Sequence, residues 1–228
     1  SLTPNMLDYL ISLPDTELRT WFRALSQRSP EAVGPTLVAL AEWANKPDTV
    51  SGSEEATPIT NLRKYCPHTP FPKQRLALDL PHREIFFGGS AGPGKSDWLL
   101  MGALEWVHVP SYSALLLRRD FPRLSLPGSI MDRAKSWLVG TDARWNQQEK
   151  VWRFPSGATI QFGYIDNPDD RYRYASAEFQ YIAWDELTEF RLPRAELNPY
   201  EFLMSRLRKT KDSPVPLRIR AASNPGNL

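Results

Sequence analysis

The chain has 228 residues, which suits one domain of ordinary size with a smaller appendage. Hydrophobic residues make up 41% and charged residues 24%, so the composition excludes wholesale disorder and an integral membrane protein. A net charge of +2 does not identify a nucleic-acid-binding protein, and a single cysteine with three histidines excludes an internal disulfide and a structural zinc site. The N-terminus lacks the pattern of a signal peptide, so we expect a cytoplasmic protein that binds no membrane.

The first 50 residues are predicted to form a small helical region. Apolar side chains recur at helical spacing between residues 6 and 46, with interruptions at Pro14 and Pro30. Residues 46–57 are rich in Pro, Ser, Gly, Glu and Asp and have no apolar period, which is typical of a flexible connection. We therefore predict a helical region over residues 1–50, a linker and lead-in over 51–68, and a second domain over 69–228.

From about residue 70, short strand-like runs alternate with helical runs, as α/β folds with a parallel sheet require. Two strand-like runs at 151–154 and 159–164 flank a Pro-Ser-Gly turn and predict a hairpin, so we expect a mixed sheet. The other predicted strands are 83–87, 113–118, 179–184 and 217–222, and the predicted helices are 94–107, 129–139 and 199–208.

A glycine-rich segment lies between the first strand and the first helix of this domain. It has the P-loop spacing of glycine, four residues, glycine, lysine and serine, and the strand-loop-helix context makes the match specific. Glycine lets backbone N–H groups approach phosphate oxygens, and the helix N-terminus adds a favourable dipole. The alternative is a chance glycine turn. We predict an ATP site formed by Gly89, Ser90, Ala91, Gly92, Pro93, Gly94, Lys95 and Ser96.

Two P-loop side chains have predicted roles. Lys95 is expected to contact the β- and γ-phosphates and to act in catalysis, and the Ser96 hydroxyl is expected to ligate a Mg²⁺ ion that bridges them. Two acidic residues that follow the strand at 179–184 complete this chemistry. Asp185 is expected to hold Mg²⁺ through its water shell, and Glu186 to orient and deprotonate the attacking water. Taken alone, such a pair is more often the first turn of a helix.

The last predicted strand ends in a Ser-Asn-Pro-Gly sequence. Polar groups at the carboxyl end of a strand face the ligand crevice of an open α/β sheet, so Asn224 is a candidate for sensing the γ-phosphate. An ordinary turn built from Asn, Pro and Gly explains the same residues equally well.

These elements, in this order, resemble the ATPase domain of the large terminase subunit of tailed bacteriophages, the motor that packages DNA into a procapsid. The resemblance extends to "TPFPKQ" at 69–74, which is similar to the family's adenine-recognition segment, and implies that Gln74 reads the base. It also includes "LLLRRDFPRL" at 115–124, the approach to the acidic pair at 174–187, and "SRLR" at 205–208 followed by the "SNP" strand end, which is similar to the family's coupling motif.

This resemblance implies a P-loop NTPase core with a mainly parallel central sheet, of the class with an additional strand and a catalytic glutamate. It implies double-stranded DNA as a partner, together with the portal protein and the small terminase subunit. It further implies a homo-oligomeric ring in the host cytoplasm, transiently at the procapsid portal. Full-length members also carry a nuclease domain, but no downstream carboxylate cluster is present here, so we expect no DNA cleavage.

One departure from the family concerns an arginine. Some members carry it inside the P-loop, where this chain has serine and alanine, so any arginine that completes the site must come from elsewhere. Arg173 is the first candidate, presented by a neighbouring subunit as an arginine finger. Arg171, Arg206 and Arg208 are alternatives. A solvated surface arginine is at least as good an interpretation of any one of the four.

Basic residues supply phosphate-binding capacity for DNA, although a basic run also suits a helix end. Two other functions remain open: a fragment of a superfamily-two helicase, which would need a second motor domain, and a nucleotide-gated binding module. Glu186 distinguishes them, because a carboxylate placed to activate water indicates turnover. The candidate DNA contacts are Lys73, Arg75, Arg118, Arg119, Arg123, Arg206, Arg208, Lys209 and Lys211.

Overall fold

The structure is a computed structural model that describes residues 6–44 except 8, 11, 12 and 14, and residues 56–89, 94–190 and 198–224. The chain divides into two compact units. The first contains Ser1–Glu55 and Thr69–Arg75, and the second contains Ala56–His68 and Leu76–Leu228. Most of the predicted flexible connection at 46–57 lies outside the described residues. None of the helices in the described part of the chain is both long and apolar enough to span a membrane.

The first unit contains the helices predicted near the N-terminus. These are α1 (Asp15–Arg28) and α2 (Pro30–Ala44), separated by Ser29. Pro30 begins α2. Proline suits this position because N–H groups in the first turn of a helix have no partner within the helix, so the missing N–H group of proline costs no hydrogen bond. Leu7, Leu10 and Leu13 form a small core against which part of α1 packs.

The second unit is an α/β domain. Its helices are α3 (Pro58–Tyr65), α4 (Pro72–Asp79), which starts in the first unit, α5 (Lys95–Leu104), α6 (Phe121–Ser125), α7 (Ile130–Leu138) and α8 (Pro199–Met204). Two 3₁₀ helices span Pro168–Tyr174 and Leu187–Glu189. The strands are β1 (Glu84–Gly88), β2 (Ser113–Arg118), β3 (Arg144–Asn146), β4 (Val151–Arg153), β5 (Thr159–Tyr164), β6 (Tyr181–Asp185) and β7 (Arg218–Ser223).

The strands form one sheet with the order β1-β7-β6-β2-β5-β4-β3. The first five strands in this order pair in parallel, whereas β4 pairs antiparallel with both β5 and β3. The prediction of an α/β fold with a mixed, mostly parallel sheet is therefore confirmed. The antiparallel part arises from the predicted hairpin, because its short turn can only join antiparallel strands.

Strands β2 and β6 lie in the middle of the sheet and are buried on both faces, as central parallel strands usually are. Two predicted helices end early. The helix at 94–107 stops at Leu104, and the helix at 199–208 stops at Met204. In the second case the Phe179 N–H donates to the Arg206 carbonyl and the Arg208 N–H to the Phe179 carbonyl, both at 3.0 Å. These bonds require an extended backbone.

The carboxyl ends of the five parallel strands lie side by side along one edge of the sheet. This edge is where ligands bind in open α/β sheets. The strand registers therefore bring together residues that are far apart in the sequence. The last residues of β1, β7, β6, β2 and β5 are Gly88, Ser223, Asp185, Arg118 and Tyr164.

Helix α5 packs closely against β6 at Gly102. A Cβ atom at this glycine would lie 2.6 Å from the Tyr181 hydroxyl oxygen, which donates a hydrogen bond to the Leu99 carbonyl at 2.8 Å. Alanine normally stabilises a helix interior relative to glycine, but here the added methyl meets a buried side chain. We expect Gly102→Ala to lower the free energy of unfolding by about 1–3 kcal/mol.

Urea denaturation checks this prediction. Adding Tyr181→Phe to the Gly102→Ala variant removes the closest atom, so the double variant is expected to recover part of the loss. A Gly102→Ala variant that is more stable than the wild type would contradict the close packing of α5 on β6.

Candidate nucleotide-binding site

The glycine-rich loop joins β1 to α5, as predicted. Gly89 and Gly94 are described, whereas Ser90, Ala91, Gly92 and Pro93 lie outside the described residues. Gly94 has a φ angle of 133°, a conformation that only glycine adopts readily, and α5 begins at the next residue. The start of a helix carries unpaired N–H groups and the positive end of the helix dipole, which favour a bound anion.

Lys95 is buried, and its ammonium group lies among oxygen atoms. It donates to Asn224 Oδ1 at 2.6 Å and to the Gly89 carbonyl at 3.3 Å. Asn224 follows β7 and is 129 positions away in the sequence. This contact brings the end of β7 to the P-loop and supports the interpretation of Asn224 as part of a site. The γ-phosphate-sensing role itself stays a prediction.

Ser96 and Asp185 meet directly: the Ser96 hydroxyl donates to Asp185 Oδ1 at 2.9 Å. Burial raises the pKa of the Asp185 carboxyl, while the nearby Arg118 guanidinium acts in the opposite direction. A buried carboxylate beside a hydroxyl offers two oxygen ligands to a hard cation. Within the described ranges, no group of three or more His, Cys, Asp or Glu residues could hold a metal ion. Two protein ligands nevertheless suit Mg²⁺, which takes its other ligands from water and phosphate.

Glu186 adopts a left-handed backbone conformation, with φ 55° and ψ 57°. Such a conformation costs a non-glycine residue about 1–3 kcal/mol and often marks a functional site. Its Oε2 accepts hydrogen bonds from the Ser223 hydroxyl at 3.2 Å and from the Asn224 N–H at 3.3 Å. The alternative of a helix whose first turn holds both acids is not observed, because Asp185 ends β6 and the 3₁₀ helix Leu187–Glu189 begins only after the pair. The contact between Ser96 and Asp185 is what ties the pair to the P-loop.

No family model matches the chain, and no curated protein matches it significantly. Among solved structures, it is similar to the crystal structure of the N-terminal domain of the DNA packaging ATPase from bacteriophage phi29. The two share 15% sequence identity with a TM-score of 0.46, over 67% of this chain and 77% of that chain. A likeness at this level shows nothing about the activity of this chain.

The proposed finger Arg173 lies at the same edge of the sheet, in the 3₁₀ helix Pro168–Tyr174. Its side chain is 48% exposed, lies 2.7 Å from Asp170 Oδ1 and stacks over the Tyr164 ring at 4.5 Å. This exposure leaves Arg173 accessible to a neighbouring molecule. Its role in catalysis remains a prediction.

The other three finger candidates differ in exposure. Arg171 is buried: it donates to the Pro168 carbonyl and stacks on Tyr172, so it is neither a finger for a neighbour nor a solvated side chain. Arg206 donates to the Ala175 carbonyl at 2.5 Å, which ties it to its own chain. Arg208 is exposed.

Two candidate DNA contacts have carboxylates as neighbours. Arg118 lies 3.6 Å from Asp185 Oδ2 and 3.8 Å from Glu189 Oε2, and its side chain is 17% exposed. Arg123 pairs with Asp120, and its Nε lies 3.4 Å from Glu189 Oε2. As contacts to DNA both arginines stay predictions, and the side chain of Arg123 is 41% exposed. The position of Arg118 at the end of a predicted strand was a signal that it lies near the site, by the same rule that selected Asn224.

Ser223 is a further site residue that was not predicted from the sequence. It is fully buried and donates a hydrogen bond to Glu186. The remaining predicted site residue, Gln74, is also buried, and its Oε1 accepts a hydrogen bond from the Phe71 N–H at 2.8 Å. Adenine recognition by Gln74 stays a prediction. Lys209 and Lys211 are exposed and stay candidates for DNA contact.

Proposed function

We propose that the chain is an ATP-hydrolysing motor domain that translocates double-stranded viral DNA into a procapsid, as the ATPase domain of a large terminase subunit does. The observation that carries the ATPase part is the contact between Ser96, at the start of the P-loop helix, and Asp185, at the end of β6. The DNA part rests on the resemblance of the sequence segments between residues 69 and 226 to that family.

The sheet order supports the class with an additional strand and a catalytic glutamate. Strand β7 lies between β1, which leads into the P-loop, and β6, which ends in the acidic pair. This additional strand positions Asn224 in contact with Lys95 and Ser223 in contact with Glu186. The ends of three strands thus surround the position proposed for the phosphates.

ATP binding would use groups that already face each other. The backbone N–H groups at the start of α5 would bind phosphate oxygens, and the Lys95 ammonium would exchange Asn224 Oδ1 for a phosphate oxygen. The Ser96 hydroxyl and the Asp185 carboxylate would hold Mg²⁺. When bound, Mg²⁺ offsets the negative charge of the phosphates.

Hydrolysis would use Glu186 as the base that orients and deprotonates the attacking water. The two hydrogen bonds from Ser223 and Asn224 hold its carboxylate at the end of β7. Arg173 would come from a neighbouring subunit of a ring and stabilise the charge that develops on the transferred phosphoryl group. The ring, the portal protein and the small terminase subunit are the proposed assembly partners, in the host cytoplasm and transiently at the procapsid portal.

The ATPase rate, measured against protein concentration with and without double-stranded DNA, tests this proposal. We expect activity with Mg²⁺, none with EDTA, and stimulation by DNA. If Arg173 acts in trans, the rate rises more than linearly with concentration, and Arg173→Ala lowers it by about 10³-fold or more.

The outcomes separate the parts of the proposal. A strictly linear rate with an unaffected Arg173→Ala variant would show that this arginine is not a finger. A Mg²⁺-dependent ATPase that DNA does not stimulate would contradict the DNA motor but not the nucleotide site. The matched control is Arg153→Ala, because Arg153 is an exposed arginine that pairs with Glu149 on the antiparallel part of the sheet.

A further inference from the structure

Arg118 is a charged side chain whose contacts are incomplete. It lies at the end of β2, and its Nη1 atom is buried and has no hydrogen-bond partner among the described residues. The two carboxylate oxygens near its guanidinium are 3.6 and 3.8 Å away, which is longer than a charge-assisted hydrogen bond. A buried donor without a partner is costly, so a ligand that accepted a hydrogen bond from it would be stabilised. Other buried side chains share this feature, and Arg118 differs from most of them by lying beside Asp185 and the P-loop helix.

The neighbouring carboxylates already have other partners. Asp185 Oδ1 accepts from the Ser96 hydroxyl, and Glu189 Oε2 lies 3.4 Å from the Arg123 guanidinium. The Asp185 oxygen nearest Arg118 is the other one, Oδ2, and Glu189 Oε2 is buried without a hydrogen-bond partner among the described residues, so neither carboxylate forms a hydrogen bond with Arg118. The guanidinium attracts them through charge alone, at a distance that leaves its N–H groups available.

The position of Arg118 suits a phosphate. One carboxylate, that of Asp185, separates it from the Ser96 hydroxyl on the P-loop helix. Strand β2 lies on the far side of β6 from β7 and β1, so Arg118 lies beyond Asp185 as seen from the P-loop strand. A guanidinium binds phosphate oxygens through two parallel N–H bonds.

We propose that Arg118 binds the terminal phosphate of ATP within the same chain and so makes the site distinguish ATP from ADP. This rests on the nucleotide site proposed above. Binding by Arg118 does not require a second subunit. The site would then contain Arg118 from its own chain as well as Arg173 from a neighbouring subunit. Arg118 would exchange its long-range attraction to Asp185 and Glu189 for direct hydrogen bonds to the γ-phosphate.

The test compares the affinities for ATP and ADP, both with Mg²⁺ and by the fluorescence of mant-labelled nucleotides. A Glu186→Gln background prevents turnover during the titration. We expect Arg118→Ala to weaken ATP binding by about ten- to a hundredfold, with ADP binding changed less than about twofold. Arg118→Lys keeps the charge but loses the paired N–H groups, so an intermediate loss for ATP alone is expected. The control Arg153→Ala should change neither affinity.

Unchanged ADP binding also shows that the variants are folded. An unchanged ratio of ATP to ADP affinity in Arg118→Ala would overturn the proposal, and so would an equal loss for both nucleotides in a folded variant. If Arg118→Ala does not fold, Arg118→Lys decides by the same ratio. Failure of the Glu186→Gln background to bind either nucleotide would instead overturn the nucleotide site itself, and with it this role of Arg118.

Discussion

Replacing Glu186 with glutamine is expected to remove ATP turnover while leaving ATP binding intact. A general base contributes about 10²- to 10⁴-fold to a rate, so we expect a loss of that order. Glutamine has the same shape and retains a side-chain oxygen that can accept from Ser223 and the Asn224 N–H, so the local structure should persist. Single-turnover hydrolysis and equilibrium binding of ATP with Mg²⁺, measured on the same protein, separate the two effects.

The matched control is Glu178→Gln, which makes the same chemical change at an exposed glutamate ahead of β6. It should hydrolyse ATP at the wild-type rate. If Glu186→Gln also turns over normally, Glu186 is not the base and the motor hypothesis fails. A wild type that binds ATP without hydrolysing it would instead favour the nucleotide-gated binding module.

The second large effect is expected on binding. Lys95→Ala should weaken the affinity for ATP with Mg²⁺ by about 100-fold or more, because it removes a buried ammonium that lies among oxygens at the start of α5. The glycine-rich loop alone would then have to hold the phosphates. Isothermal titration calorimetry of the wild type and of Lys95→Ala gives the two dissociation constants for ATP with Mg²⁺.

Lys64→Ala provides the control for this measurement. Lys64 forms an ion pair with Asp142 in which its side chain is 42% exposed, so its loss should leave ATP affinity unchanged. A Lys95→Ala variant that binds ATP like the wild type would place the phosphates elsewhere. The proposed site at the carboxyl edge of the sheet would then be wrong.

The sequence alone determined six of the seven strands and the P-loop. Strand β2 was predicted with the bounds it has, because a central parallel strand is a continuous apolar run ending in charged residues. The P-loop is recognisable because its chemistry lies in consecutive residues. Short elements such as α6 and β3 escaped prediction, because five or three residues are too few to show a period.

Only the tertiary structure decided which side chains meet. From the sequence, Asn224 was interpreted equally well as an ordinary turn residue and as a sensor of the γ-phosphate. Arg118 was predicted as a DNA contact. Their contacts with Lys95 and Asp185 follow from the sheet order, in which β7 and β2 flank β6. Local composition determines where each strand begins and ends, but strand order depends on how all the elements pack together. Contacts between distant residues, and therefore most of this candidate site, follow from that packing.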